Sequence, residues 1–333
     1  MSEPASVLGP SRDLVGYGSN PPQGRWCGGA TVALNVVINV EEGSERSWAA
    51  GDRINEGLSE VPRAIDPDYR DLGTESVYEY GSRAGVFRLL RLFDRLEIKV
   101  TAFAAAQALE NNPDAAAWIA GAGHEVCAHG YRWAEEWKMT RKEEEAAINR
   151  AVESITATTG TRPVGWYSRW MPSIHTRDLL AAEGGFLYDA DAYNDDFPYY
   201  ATAAGRSHLV VPYSITYNDS FYSYGQLSSP SDFVDYCRRG LDYLRQEQDG
   251  APRIMSIGLH PRISGQAART SAVAEIIEYA QSLTDVWVTT RREIAAYWLA
   301  EFPDLRGSNS SGVHQFVPKF GVNTEIRDND PAH

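Results

Sequence analysis

The chain reads as an α/β protein: a parallel sheet with helices outside, closed or nearly closed into an irregular (β/α) barrel. Two observations predict this. About eight short apolar runs, rich in β-branched residues, alternate with segments of helical periodicity. No linker-like stretch interrupts residues 31–303, so this span reads as one domain. An open doubly wound sheet is the alternative, but no Gly-rich phosphate loop follows the first strand. A length of 333 residues suits one large barrel or two ordinary domains, so the pattern decides.

Each element has its own warrant. Residues 1–30, rich in Gly, Pro, Ser and Arg, read as an irregular arm packed on the barrel. TVALNVVINV (31–40) is nearly continuous in apolar character, as a strand covered on both faces is. Residues 41–80 are polar and Gly-rich, a long loop of the kind that carries function. SRAGVFRLLRLFDRLE (82–97) places apolar residues at helical spacing behind a capping Ser82. KVTAFA (99–104) is the next strand, and NPDAAAWIAGAG (112–123) a helix with Pro near its start and Gly past its end. HEVCAH (124–129) is a strand again. TRKEEEAAINRAVESITATTG (140–160) opens on a Thr-x-x-Glu capping box and stops at Gly160.

Strands are then expected at 164–168, 186–190, 208–214, 253–260 and 286–290. Helices are expected at 176–185, 230–248, 269–283 and 291–301. Residues 304–333 form a polar extension, and no internal repeat is present.

Charge and composition exclude several classes of partner. The balance of 31 basic against 45 acidic residues, net −14, repels nucleic-acid phosphates and anionic lipid. No run approaches the roughly 18 apolar residues that span a bilayer. The first residues lack a basic segment followed by an apolar core, and three widely spaced cysteines form no paired motif. Both features point to the reducing cytoplasm.

In a parallel barrel, chemistry sits where strands end at the C-terminal rim. Those ends carry Glu41 and Glu42; His129 and Tyr131; Trp166, Tyr167, Ser168 and Arg169; Asp189 to Asp196; Asn218 and Asp219; and His260 and Arg262. Adjacent strand residues point to opposite faces, so one of Glu41 and Glu42 is expected to enter the site. His129 and His260 are read as site residues, and Asp195 and Asp196 as candidates. His124, before an apolar strand, is read as structural, and Cys127 as buried and inert. His175, His208, His314 and His333 show no constellation and are read as non-catalytic.

At these residues the chain resembles the polysaccharide deacetylase (NodB-homology) superfamily. Within it, the resemblance is closest to the allantoinase-like branch of PuuE-type metal-independent allantoinases and cyclic imidases. It is carried by RDLVGYGSNPP (13–22), NVEEGSER (39–46), YEYGSRAGVFRLL (78–90), AGHEVCAHGYRW (122–133), RPVGWYS (162–168), EGGFLYDADAYNDDFPY (183–199), HLVVPYSITYND (208–219) and SIGLHPR (256–262). It implies an irregular βα barrel and a homo-oligomer. In metal-dependent members an Asp pair ends the first strand and a His-x3-His motif a later one. One Asp acts as base, while the other Asp and both histidines hold metal. By position the Asp pair becomes Glu41 and Glu42, the motif histidines His129 and Trp133, and the late general acid His260.

Indole offers no lone pair to a cation, so Trp133 removes one ligand outright. Each Asp-to-Glu change shifts a carboxylate by over about 1 Å. Glu42 and His129 remain, too few for a zinc site unless Asp195 or His260 substitutes. The expectation is therefore a site without metal or cofactor, with zinc or another divalent ion as the alternative. A cyclic amide suits such a site, because its carbonyl is electrophilic and its leaving nitrogen is stabilised by a second carbonyl. Tyr131, Trp133, Trp166 and Tyr167 would wall a small flat ring.

The expected reaction is hydrolysis of a ring C–N bond. Glu41, Glu42 or His129 deprotonates water, and His260 protonates the leaving nitrogen. Arg169, Arg262 or backbone N–H groups steady the oxyanion, with Asp195 and Asp196 at the substrate. Two segments depart from the branch, SRWMPSIHTR (168–177) and PRISGQAAR (261–269), and both lie at the rim. A metal-dependent amino-sugar N-deacetylase and a non-catalytic ligand-binding barrel are the rival readings.

Overall fold

The computed structural model describes residues 9–58, 60, 61, 65–169, 171–247 and 249–304. The expected extension beyond Asp304, with His314 and His333, lies outside these, as do residues 1–8 of the arm.

The strands are β1 (Val32–Val40), β2 (Thr101–Ala104), β3 (Glu125–Ala128), β4 (Gly165–Trp166), β5 (Tyr188–Asp189), β6 (Tyr199–Ala203), β7 (Arg206–Val210), β8 (Arg253–Leu259) and β9 (Val286–Val288). They form one sheet in the order β6-β7-β5-β4-β3-β2-β1-β8, with β9 pairing the start of β1. Every pairing is parallel except that of β6 with β7. The helices are α1 (Leu72–Tyr80), α2 (Val86–Arg95), α3 (Ala106–Asn111), α4 (Pro113–Gly121), α5 (Arg141–Thr159), α6 (Thr176–Glu183), α7 (Pro230–Gln246), α8 (Pro261–Ser264), α9 (Ala267–Gln281) and α10 (Arg291–Glu301). A π-helical turn, Gly81–Gly85, joins α1 to α2.

β1 shows why the sheet curls between two cores. Its alternate residues Val32, Leu34, Val36 and Ile38 pack against the helix layer. Ala33 and Val37 face the lumen with Phe103, Cys127, Tyr188 and Tyr213. Asn35 and Asn39 donate across to the β8 carbonyls of Met255 and Leu259, at 3.0 and 3.1 Å.

The ring of strands is not completed by pairing. The edge strands are β6 and β8, and residues 211–219, after β7, reach β8 at a bridge between Asn218 and Gly258. Pro212 cannot donate to a ladder, and Gly258 lets the segment cross. A Cβ there would stand 2.0 Å from Tyr213 Oη and 2.5 Å from Asn218 Nδ2. This crossing carries Asp219 to the end of β8.

Several elements differ from expectation in their bounds or their presence. Helix begins at Leu72 rather than Ser82, because Asp71 caps it by accepting from the Thr74 N–H at 2.9 Å. The segment 112–123 is preceded by a further short helix, α3. The β6–β7 hairpin was not expected; its two-residue turn, Ala204 and Gly205, has φ of 46° and 72°. Such a turn requires two left-handed residues, and alanine at the first hides the signal. The capping box of α5, with its left-handed Gly160, is as read.

Candidate active site

Glu41 and Glu42 follow β1 directly, and a tight turn holds them. The Ser44 N–H and hydroxyl both donate to the Glu41 carbonyl, at 2.9 and 2.6 Å. The strand pleat ends at Val40, so alternation no longer separates the two side chains, and both reach Arg262. Arg262 Nη1 lies 3.0 Å from Glu41 Oε2 and 3.6 Å from Glu42 Oε1. The Arg262 N–H donates to Glu42 Oε1 at 3.1 Å. Glu42 is covered by the π-helical turn, where a Cβ on Gly81 would stand 2.5 Å from Glu42 Oε1. Both carboxylates therefore meet Arg262, whereas pleat alternation alone predicts one of them at the site.

Two imidazoles converge on Glu41 from other strands. His129, after β3, donates from Nδ1 to the Tyr167 carbonyl at 2.7 Å. A carbonyl only accepts, so Nδ1 carries the proton and Nε2 faces Glu41 Oε1 at 3.3 Å. The ring stacks on Tyr167, centroids 5.1 Å apart, which in turn stacks on Phe103. His260, after β8, turns Nδ1 to Asp219 Oδ1 at 2.6 Å and Nε2 to Glu41 Oε1 at 3.6 Å. The His260 N–H also donates to Asp219, at 2.7 Å.

The groups are held in opposed charge states. Burial alone would drive His260 down, but Glu41 and Asp219 outweigh it and raise its pKa to about 10. Burial alone would raise Glu41; the charges of His260 and Arg262 instead hold it well below the usual carboxylate range. Glu42, where burial prevails over Arg262, is raised to about 7. Adjacent carboxylates pushed apart in this way are the mark of divided roles.

Other expected residues have different places. Trp133 is buried, with Arg169 at 3.9 Å and Arg262 at 5.6 Å from its ring centroid. Its ring thus lies beside the guanidinium that pairs with Glu56 and the one that pairs with Glu41 and Glu42. Tyr167 sits beneath His129, its hydroxyl 2.8 Å from that of Tyr193. Trp166 points the other way, against Phe186 in the helix-side core. Tyr131 is bound among helices, donating to Glu110 at 3.1 Å and accepting from Arg150 at 2.7 Å. Arg169 is drawn to Glu56 at 2.6 Å, so it anchors the 41–80 segment rather than awaiting an oxyanion.

Asp195 and Asp196 are at the wrong end. The Asp196 carbonyl accepts from the N–H of Ile254, at the start of β8, whereas His260 follows its end. Six residues of strand, about 20 Å, separate those positions. The half-buried Asp191 of this stretch accepts from the Ser168 N–H and hydroxyl, both at 2.8 Å.

His124 is structural, accepting from the Val100 N–H at 3.3 Å, and burial lowers its pKa to about 4. His208 was expected to lack a constellation but lies 3.0 Å from Asp189. Sequence reasoning gave no role to Asp219, though its strand end was marked. Glu56 and Glu60 sit in a loop without periodicity, where no signal could single them out.

A Schizosaccharomyces pombe protein named "Putative polysaccharide deacetylase" is 34% identical over 315 residues, 88% of this chain and 98% of that protein. The chain belongs to the polysaccharide deacetylase family. The family described as polysaccharide deacetylase matches residues 75–178 directly. A solved PuuE allantoinase is 44% identical, covering 88% of this chain and 98% of that one, with a TM-score of 0.83. A structure named "probable Polysaccharide deacetylase from Pseudomonas aeruginosa PAO1" is 43% identical, with a TM-score of 0.83 and coverage of 88% and 99%. The fold is accordingly the NodB-like irregular barrel, and the chain is a hydrolase of the deacetylase family.

The divalent ion of metal-dependent members does not fit these residues. Arg262 already supplies a cation to Glu41 and Glu42, and Trp133 offers no lone pair. Among the described residues no group of three or more His, Cys, Asp or Glu is placed to hold a metal. Among those residues no helix is long and apolar enough to cross a membrane.

Proposed function

We propose that the chain is a metal-independent hydrolase that opens a C–N bond of a small cyclic amide, such as allantoin, a hydantoin or a cyclic imide. One observation carries the reading: Glu41, His129, His260 and Arg262 converge, yet are only 2%, 1%, 8% and 4% exposed. A sugar polymer needs an open groove, and a small ring does not. The likeness to PuuE allantoinase supports the same substrate class.

Glu41 and His129 hold the attacking water, and Glu41 accepts its proton as the oxygen joins the carbonyl carbon. The imidazolium of His260 faces the developing oxyanion and gives its Nε2 proton to the leaving nitrogen as the C–N bond breaks. Glu41 can then return its proton across the 3.6 Å to His260, which resets both groups. Asp219 holds the His260 ring and its charge throughout.

The test is a panel of allantoin, hydantoins, cyclic imides and N-acetyl sugars, assayed with and without chelator. Turnover of a ring substrate that survives chelation is the expected outcome. Activity confined to N-acetyl sugars, lost to chelator and restored by zinc, would replace this reading with metal-dependent N-deacetylation. The names of the deacetylase relatives favour that second reading.

A further inference from the structure

Two adjacent buried carboxylates and an imidazole Nε2 are donor types that a divalent cation ordinarily takes, although as placed here they do not form a metal-holding group. Here a protein cation stands against them. The guanidinium of Arg262 reaches both carboxylates, and its own backbone N–H adds a bond to Glu42. Its plane is seated by aromatic faces, with Tyr78 at 4.7 Å and Trp133 at 5.6 Å from the guanidinium carbon. The indole that removes a metal ligand therefore also forms part of the cradle for the arginine.

We propose that Arg262 is a built-in counter-cation that replaces a divalent metal at Glu41 and Glu42, and that it, together with Trp133, keeps metal out of the site. This rests on the metal-free reading above. It adds a cause: the carboxylates and His129 keep a latent capacity for metal, and the guanidinium masks it. Removing the guanidinium should expose that capacity, and an imidazole at 133 should complete it.

The experiment compares Co2+ uptake by chelator-treated wild type, Arg262→Met, and Arg262→Met combined with Trp133→His. Visible absorption reports coordination and elemental analysis reports stoichiometry. Changes around metal ligands alter affinity by about 10- to 100-fold, so both variants should bind one equivalent at least about 10-fold more tightly than wild type. Adding Glu41→Gln should remove that gain. Arg262→Lys, which keeps the charge, should still refuse Co2+.

Uptake of one equivalent by the wild type, lost on Glu41→Gln, overturns the inference. So does a folded Arg262→Met that takes no Co2+. If Arg262→Met does not fold alone, refolding with Co2+ decides: recovery supports the inference and failure overturns it. Turnover without metal in the wild type, alongside a folded Arg262→Met that refuses Co2+, sinks this inference and leaves the proposed reaction standing.

Discussion

The two ends of the barrel bury polar and aromatic groups to different ends. At the N-terminal end, Trp26 packs with Tyr297 and Trp298 at centroid distances of 5.5 and 5.6 Å, and Trp298 stacks on Phe302 at 4.4 Å. The Trp26 indole donates to the Arg253 carbonyl at 2.6 Å, and the Arg253 guanidinium is closed off by Glu247 and Asp249 in ion pairs at the rim of this end. At the C-terminal end, ionisable groups of both signs are buried within reach of one another. Burial thus yields aromatic packing and closed ion pairs at one end, and at the other a cluster in which two imidazoles and a guanidinium share one carboxylate.

His260→Ala is the sharpest way to break the comparison. Loss of a positioned acid costs about 10²- to 10⁴-fold in rate. The kcat of the folded variant should fall within that range, with denaturant unfolding checking that folding survives. Full turnover in a folded His260→Ala would strip the C-terminal end of its assigned role.

Trp298→Ala should do the reverse. Removing a fully buried tryptophan costs about 3–5 kcal/mol, so the denaturation midpoint should drop sharply. The kcat of the molecules that remain folded should not move. A loss of kcat at constant folded fraction would mean that the two ends are coupled.

Asp219→Asn separates positioning from chemistry. With His260 raised to about 10, the rate should hold through neutral pH and fall on an alkaline limb near 10. The variant should move that limb towards the ordinary 6.5 while retaining turnover at low pH. The stability sign follows from the same shift. A folded pKa raised above the unfolded one gives stabilisation that is full below about 6.5 and lost as pH rises through about 10. Asp219→Asn should shrink that alkaline loss; an unchanged limb would show that Asp219 is only structural.

Sequence reached the rim better than it reached the contacts at the rim. Glu41, His129 and His260 were legible because each ends an apolar run, and barrel topology sends such ends to one place. That logic fails where the chain leaves regular structure. Asp195 and Asp196 looked like rim residues, but the stretch after β5 descends to the start of β8 before turning into β6. Arg169 and Arg262 looked free for substrate, because their partners Glu56 and Glu60 lie in a loop whose folding has no period. Pleat alternation stops with β1 at Val40 and so does not govern Glu42. The open side of the ring was invisible because it depends on what crosses Gly258, not on any strand's own composition.

Tyr131→Phe tests the smallest of these reassignments. Sequence placed Tyr131 in the ring pocket, next to His129. Its hydroxyl instead bridges Glu110 on α3 and Arg150 on α5, with the Arg150 guanidinium 3.6 Å from the ring centroid. Deleting the hydroxyl removes two partly exposed hydrogen bonds but keeps the ring and its cation contact. A typical intramolecular hydrogen bond contributes about 0.5–1.5 kcal/mol, so the loss should lie near that range by denaturant unfolding. The KM for the ring substrate should stay at the wild-type value, because no atom removed faces Glu41 or His260. A rise in KM with unchanged stability would return Tyr131 to the pocket and move the wall of the site outward from Trp133.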